Sequence, residues 1–249
     1  MTCTKEIAQD WKDKLETIGA DYLRKEKLVQ SELHMKHWLS RKGGVRIFPN
    51  SLLKNDKWIK GHLDKKHLAM LLGAAYVGYK DNKSEKVDEY KGGLTDRIVK
   101  SKGNWTKEEV ILTWKDSFDY MKLVDPNFSY SLSSSNKEQA VNTMKKNGAN
   151  ADIYFSIGGA TIKSTLKVFV KKWSNTRYGV YLTNWRCLLT DSYDFKIDTP
   201  LDWLKSQSGV FSESHCVEKQ GFAKPFTIRS EWEHKPKRLN EALYFAEVR

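Results

Sequence analysis

The strongest constraint on this chain is a change of hydrophobic period near residue 150. Before it, apolar residues recur three or four apart. Ile7, Trp11, Leu15, Ile18 and Tyr22 line one face of a helix, with Lys12, Asp13, Lys14 and Glu16 on the polar side. After it, the period is two. Ile162, Leu166, Val168 and Val170 alternate with Lys163, Thr165, Lys167 and Lys171, the pattern of a half-buried strand. The expected architecture is α+β: a helical N-terminal half packed on a mainly antiparallel twisted sheet in the C-terminal half. The corresponding regions are 1–147, helical, and 150–249, β-rich, either as two domains or fused into one compact unit.

Within the first region, Val45 to Phe48 is expected as a short strand and Pro49-Asn50 as a turn. Residues 51–60 and 64–80 are expected as helices, the second apolar nearly all round. Thr106 with Glu109 resembles a capping box that opens a helix through about Val124, stopped by Asp125-Pro126. Ser129 to Asn136 is the best linker, and Asn136 caps a helix to Lys146. Beyond residue 150, Tyr178 to Leu189, Phe226 to Glu233 and Ala242 to Val248 are expected to be further strands.

The chain has 249 residues and enough apolar and aromatic surface, 39% and 12%, to exclude a wholly disordered polymer. No apolar run reaches the roughly 18–20 residues of a spanning helix, Leu68 to Val77 being the longest. The N-terminus has no apolar core of a signal peptide. The three cysteines, Cys3, Cys187 and Cys216, form no C-x-x-C pair and no disulfide framework. Synthesis in a reducing cytoplasm is therefore expected, with any export using a route without a cleavable signal. The net charge of +12 favours polyanions such as nucleic acid, anionic lipid or phosphorylated substrates, although scattered lysines also serve plain solubility.

One segment concentrates chemistry. Asp191-Ser192-Tyr193-Asp194-Phe195, with Lys196 and Asp198 close behind, directly follows the Tyr178–Leu189 strand. Clustered carboxylates at a strand end act as a general base, hold a hard cation or position water. The same residues would equally make a polar turn in which both carboxylates bond nearby backbone N–H groups.

This D-x-Y-D-F core, the hairpin before it, the Pro200-Leu201-Asp202-Trp203 stretch and the later Gly221–Trp232 segment resemble the C-terminal toxin domains of antibacterial effectors from type VI and Rhs-type loci. The core is also similar to that of colicin M. That bacteriocin family hydrolyses the pyrophosphate linkage of the lipid-bound peptidoglycan precursor and requires Mg²⁺. The resemblance covers roughly residues 150–235. It implies a catalytic core of Asp191, Tyr193 and Asp194, with Asp191 and Asp194 holding Mg²⁺. The His-Arg pair that follows the core in colicin M is replaced here by Pro200 and Leu201. His215 and Arg229 are then expected to complete the catalytic set, with Lys196 and His234 binding substrate. The implied partners are a cognate immunity protein, secretion-system delivery components and an anionic lipid-linked substrate. The implied place of action is the periplasm or outer face of the inner membrane of the target cell.

Two other classes stay open. A basic nuclease toxin would use Lys163, Lys167, Lys171, Lys172, Arg177 and Arg186, with Trp173, Tyr178 and Trp185 stacking on bases. Its acid–lysine signature is weak, the nearest approach being Glu231-Trp232-Glu233-His234-Lys235. A membrane-perturbing toxin would expose the Leu68–Val77 helix, flanked by Lys65, Lys66 and Lys80. His34 and His37 lie three apart on an expected helix without a third ligand at a telling spacing, so they read as solvated or capping histidines. His215 and Cys216, adjacent on an expected extended segment, would point apart.

Overall fold

The computed structural model describes residues 3–82, 109–128, 136–195, 209–234 and 243–247. The α+β class is confirmed, with helices mainly N-terminal and a mostly antiparallel open sheet in the C-terminal half. The chain runs through α1 (Lys5–Lys14), a π-helical turn Leu15–Gly19, α2 (Ala20–Lys25), α3 (Val29–Leu39), β1 (Val45–Ile47), α4 (Asn50–Asn55) and α5 (Lys57–Asn82). It continues with β2 (Val110–Asp119), α6 (Tyr120–Val124), α7 (Asn136–Asn147), α8 (Ala151–Ile157), β3 (Gly159–Lys172) and β4 (Arg177–Tyr193). Last come α9 (Gly209–Lys219), β5 (Phe226–His234) and β6 (Leu243–Glu247). The sheet order is β1-β5-β4-β3-β2, with β6 also pairing β4. β1 runs parallel to β5, Arg46 opposite Ile228, whereas β6 runs antiparallel to β4, Ala246 opposite Tyr178.

Contacts divide the chain into two compact units. Unit 1 is Met1–Trp58, Phe118–Ala160 and Thr190–Ser230; unit 2 is Ile59–Ser117, Thr161–Leu189 and Glu231–Arg249. In unit 1, α1 packs along α9 and α3 along α8, over a core that includes Trp38, Phe48, Leu53, Tyr120, Met144 and Ile153. The first turn of α3 has Leu28 at its N-cap, which offers no acceptor. Asp152 of α8 supplies one instead. Its carboxylate accepts from the N–H groups of Gln30 and Ser31, each at 2.8 Å, and from Ser31 Oγ at 2.7 Å. A buried helix end is thus satisfied from a distant segment. A disulfide joins Cys3 to Cys216 of α9, with their Cα atoms 5.4 Å apart.

In unit 2, α5 lies on β3, whose residues Ile162, Ser164, Leu166, Val168 and Val170 are all buried. Gly78 is what permits the approach. A Cβ there would fall inside contact distance of Val170 Cγ1 and 3.1 Å from Val170 Cβ. Gly78→Ala should therefore lower stability by about 1–2 kcal/mol, because overpacking outweighs the gain in helix propensity. A urea midpoint that is unchanged or raised would contradict this close packing. Leu68, Leu72 and Tyr76 of α5 are exposed, while Met70, Leu71, Ala74, Ala75 and Val77 are buried. No helix among the described residues is long and apolar enough to cross a membrane.

Several local expectations need correction. Residues 110–119 form a strand, not a helix: Val110, Leu112, Trp114 and Phe118 are buried at even spacing, which is the strand period. The helix starts only at Tyr120, where the Asp119 carboxylate caps the N–H groups of Met121 and Lys122. Thr106, the other half of the expected capping box, lies outside the described residues, as do residues 129–135 of the expected linker. The helices expected at 51–60 and 64–80 are redrawn as α4 and one long α5. The segment carrying His215 and Cys216 is helical rather than extended.

Candidate functional site

β4 ends later than the alternation alone would end it, so Asp191, Ser192 and Tyr193 belong to the strand. Its burial also slips by one residue. Val180 and Leu182 are buried at even positions, Cys187 and Leu189 at odd ones. Continued at the odd positions, this places Asp191 and Tyr193 on the same face as Cys187 and Leu189. In unit 1 the Tyr193 ring stacks on Phe226 at 5.1 Å. The rings of His34, Trp38 and Phe195 meet it edge-on at 5.7, 6.4 and 5.7 Å. Burial among these rings pushes the Tyr193 phenol well above its ordinary range.

Burial also acts on Asp191. Its carboxyl is pushed up to about 8, chiefly by loss of solvent and further by the charge of Asp194, against a stabilising bond from the Ser192 backbone N–H. At neutral pH Asp191 is an acid that holds its proton. Asp194 is likewise half-buried, and it accepts a hydrogen bond from Ser192 Oγ at 2.7 Å.

α9 holds this strand end in place. The His215 Nδ1–H donates to the carbonyl of Phe195 at 2.8 Å. Glu218 Oε2 accepts from the Phe195 N–H and from Trp38 Nε1, both at 3.2 Å. His215 is thereby a positioning residue next to the segment. Arg229 is exposed on β5, one step out of alternation with the buried Phe226, Ile228 and Ser230. It therefore lies on the opposite face of the sheet from the Tyr193–Phe226 stack. Lys196 and the side chain of His234 lie outside the described residues.

Two residues enter that the sequence did not single out for this place. His34 is fully buried against Phe48, Tyr193 and Phe226, which overturns its reading as a solvated or capping histidine. Burial, helped by the charge of Arg46, pulls it down to about 4, so it is neutral. Its Nε2 has no hydrogen-bond partner among the described residues, and neither does the buried Nε of Arg46. Arg46 is recruited through the parallel register that sets it opposite Ile228. His37 bonds the Gly43 carbonyl at 2.9 Å. Among the described residues no group of three or more His, Cys, Asp or Glu converges on a metal position.

Unit 2 holds a separate buried chain. His67 Nε2 lies 3.0 Å from Ser164 Oγ, which lies 3.4 Å from Cys187 Sγ, and Trp185 Nε1 donates to that sulfur. Burial pulls His67 down to about 4 and pushes the Cys187 thiol up. Nucleophilic chemistry at cysteine needs the thiolate and access. His67, Ser164 and Cys187 are all buried, so this arrangement is a satisfied polar core. Of the rings considered for base stacking, Tyr178 is buried and Trp185 packs on His67 at 4.6 Å, whereas Trp173 is exposed. No family model, curated protein or solved structure matches the chain.

Proposed function

We propose that the chain is an antibacterial effector toxin with a hydrolytic site in unit 1, and that Asp191 is its general acid. The observation that carries this is the geometry at the end of β4, where Asp191 lies two residues before Tyr193, whose ring stacks on Phe226, and burial raises the Asp191 carboxyl to about 8. A carboxylic acid with that acidity donates a proton efficiently near neutral pH. The D-x-Y-D resemblance names the substrate class, a lipid-linked peptidoglycan precursor with a pyrophosphate linkage. Water attacks phosphorus, the P–O bond to the leaving group breaks, and the departing oxygen takes the Asp191 proton. The Asp194 carboxylate accepts the proton of the attacking water. Tyr193 orients the substrate by its O–H, and Arg46, close enough for its charge to act on His34, offsets negative charge on phosphate oxygens. In the alternative that the resemblance offers, Asp191 and Asp194 would hold a divalent cation that offsets charge on the pyrophosphate, and Asp191 would then not serve as the acid.

A cognate immunity protein and delivery to the target-cell envelope belong to the same proposal. The test is expression in a bacterium with and without a periplasmic export signal. Growth arrest with loss of lipid-linked precursor is expected only for the exported form. Toxicity confined to the cytosol with degraded DNA or RNA would replace this reading with a nuclease. Rapid loss of membrane potential would replace it with a membrane-perturbing toxin, and no growth defect in either compartment would end it.

A further inference from the structure

We infer that the tip of the β3–β4 hairpin in unit 2 is a membrane-contact surface that docks on anionic lipid head groups. From Ile153 to Thr190 the chain contains no Asp or Glu, yet it carries Lys163, Lys167, Lys171, Lys172, Arg177 and Arg186. Residues 171–177 are exposed without interruption. The turn itself is well built. The N–H groups of Trp173 and Ser174 donate to the Arg177 carbonyl at 2.9 and 3.2 Å, and Ser174 Oγ accepts from the Arg177 N–H at 3.0 Å. It holds Trp173 outward, 55% exposed, with Phe169 37% exposed on the same strand. Lys163, Lys167, Phe169 and Lys171 alternate with buried residues and so share one face of β3.

Charge and ring chemistry select the occupant. Tryptophan seats at head-group depth, where one side of the ring is apolar and the other wet. Clustered lysines add attraction to an anionic leaflet. Carboxylates temper the patch: Glu109 lies 3.9 Å from Lys167 and accepts from Thr183 Oγ1, and Glu231 pairs with Arg186. The strand register sets residue Glu247 opposite Arg177. Among the described residues no carboxylate pairs with Lys163, Lys171 or Lys172, and these supply the net attraction. A single-stranded nucleic acid is the less favoured polyanion. It needs a run of open ring faces, but Lys171 Nζ sits 5.3 Å over the Tyr181 ring, and Tyr178 is buried. The inference rests on the envelope-toxin reading only for its use, since a lipid-linked substrate lies in the membrane that the tip would grip.

The test is co-sedimentation of the full chain with phosphatidylcholine vesicles, with and without phosphatidylglycerol. Binding is expected only to the anionic vesicles and should weaken as salt rises. Lys171→Ala with Lys172→Ala should weaken it about 25-fold, about fivefold for each lysine. Trp173→Ala should lower binding and remove quenching by lipids brominated near the head group, with the melting temperature unchanged. Equal binding to both vesicles, or undiminished binding by these stable variants, would overturn the inference. So would tight binding of a single-stranded oligonucleotide without vesicle binding. No step of the vesicle assay depends on killing. A chain that binds anionic vesicles through this tip but never kills upholds the tip and removes the toxin reading. A chain that kills but ignores vesicles does the reverse.

Discussion

Asp191→Asn is expected to lower killing by the exported chain about 10²–10⁴-fold, the usual contribution of a general acid. The substitution keeps size and shape and removes only the transferable proton. Activity of the natural chain should likewise fall as pH rises beyond about 8, where Asp191 ionises. Stability carries an independent signature. The folded chain keeps the Asp191 proton up to about pH 8, whereas an unperturbed aspartate carboxyl titrates at 3.8. The folded state therefore binds the extra proton between these limits. The stabilising contribution is full below 3.8 and is lost as pH rises through about 8. The amide of the Asp191→Asn variant does not titrate. The variant should therefore match the natural chain in acid and exceed its stability above pH 8, by about a few kcal/mol. Thermal melts across pH check this. A variant that melts early at every pH would show Asp191 to be structural. A variant that kills at full potency would move the site elsewhere.

Breaking the Cys3–Cys216 bridge is expected to have the largest effect on stability. The bridge closes a loop across a sequence separation of 213 residues. Cross-links of that span restrict the unfolded chain most, and losing a native one typically costs about 2–5 kcal/mol. For a chain of this size that corresponds to a fall in Tm of roughly 5–15 °C. Cys3→Ser should show this fall, and a reductant should reproduce it in the natural chain while leaving the variant unchanged. Because Cys216 adjoins His215, which holds the Phe195 carbonyl, the loosened α9 should also reduce killing. Identical melting of the oxidised and reduced chain would mean that the bridge adds nothing to the fold.

The strands β3 and β5 are legible in the sequence because one face of each meets water, so lysine or charged residues alternate cleanly with Val, Ile or Phe. β2 is not. Trp114 and Phe118 stand four apart, which fits a helix face as well as one strand face, and the Thr106–Glu109 pair pulls the reading toward a helix. Asp191 and Asp194 are visible as a cluster. What raises the Asp191 carboxyl is not, because its burial at the end of β4 arises only in the folded chain. Arg229 is named only as a stand-in for the missing His-Arg pair, and the two-residue pleat sets it on the face opposite the Tyr193–Phe226 stack. Arg46 enters instead through a parallel pairing across more than half of the chain, which no local pattern announces. The Cys3–Cys216 pairing is equally non-local.

The most direct measurement is a carbon-13 NMR titration of the full chain labelled at its aspartate carboxyls. One carboxyl is expected to titrate at about 8, with its resonance missing from Asp191→Asn. If every aspartate carboxyl titrates within the ordinary acid range, near ~4, Asp191 is an ordinary carboxylate and the proposed acid does not exist.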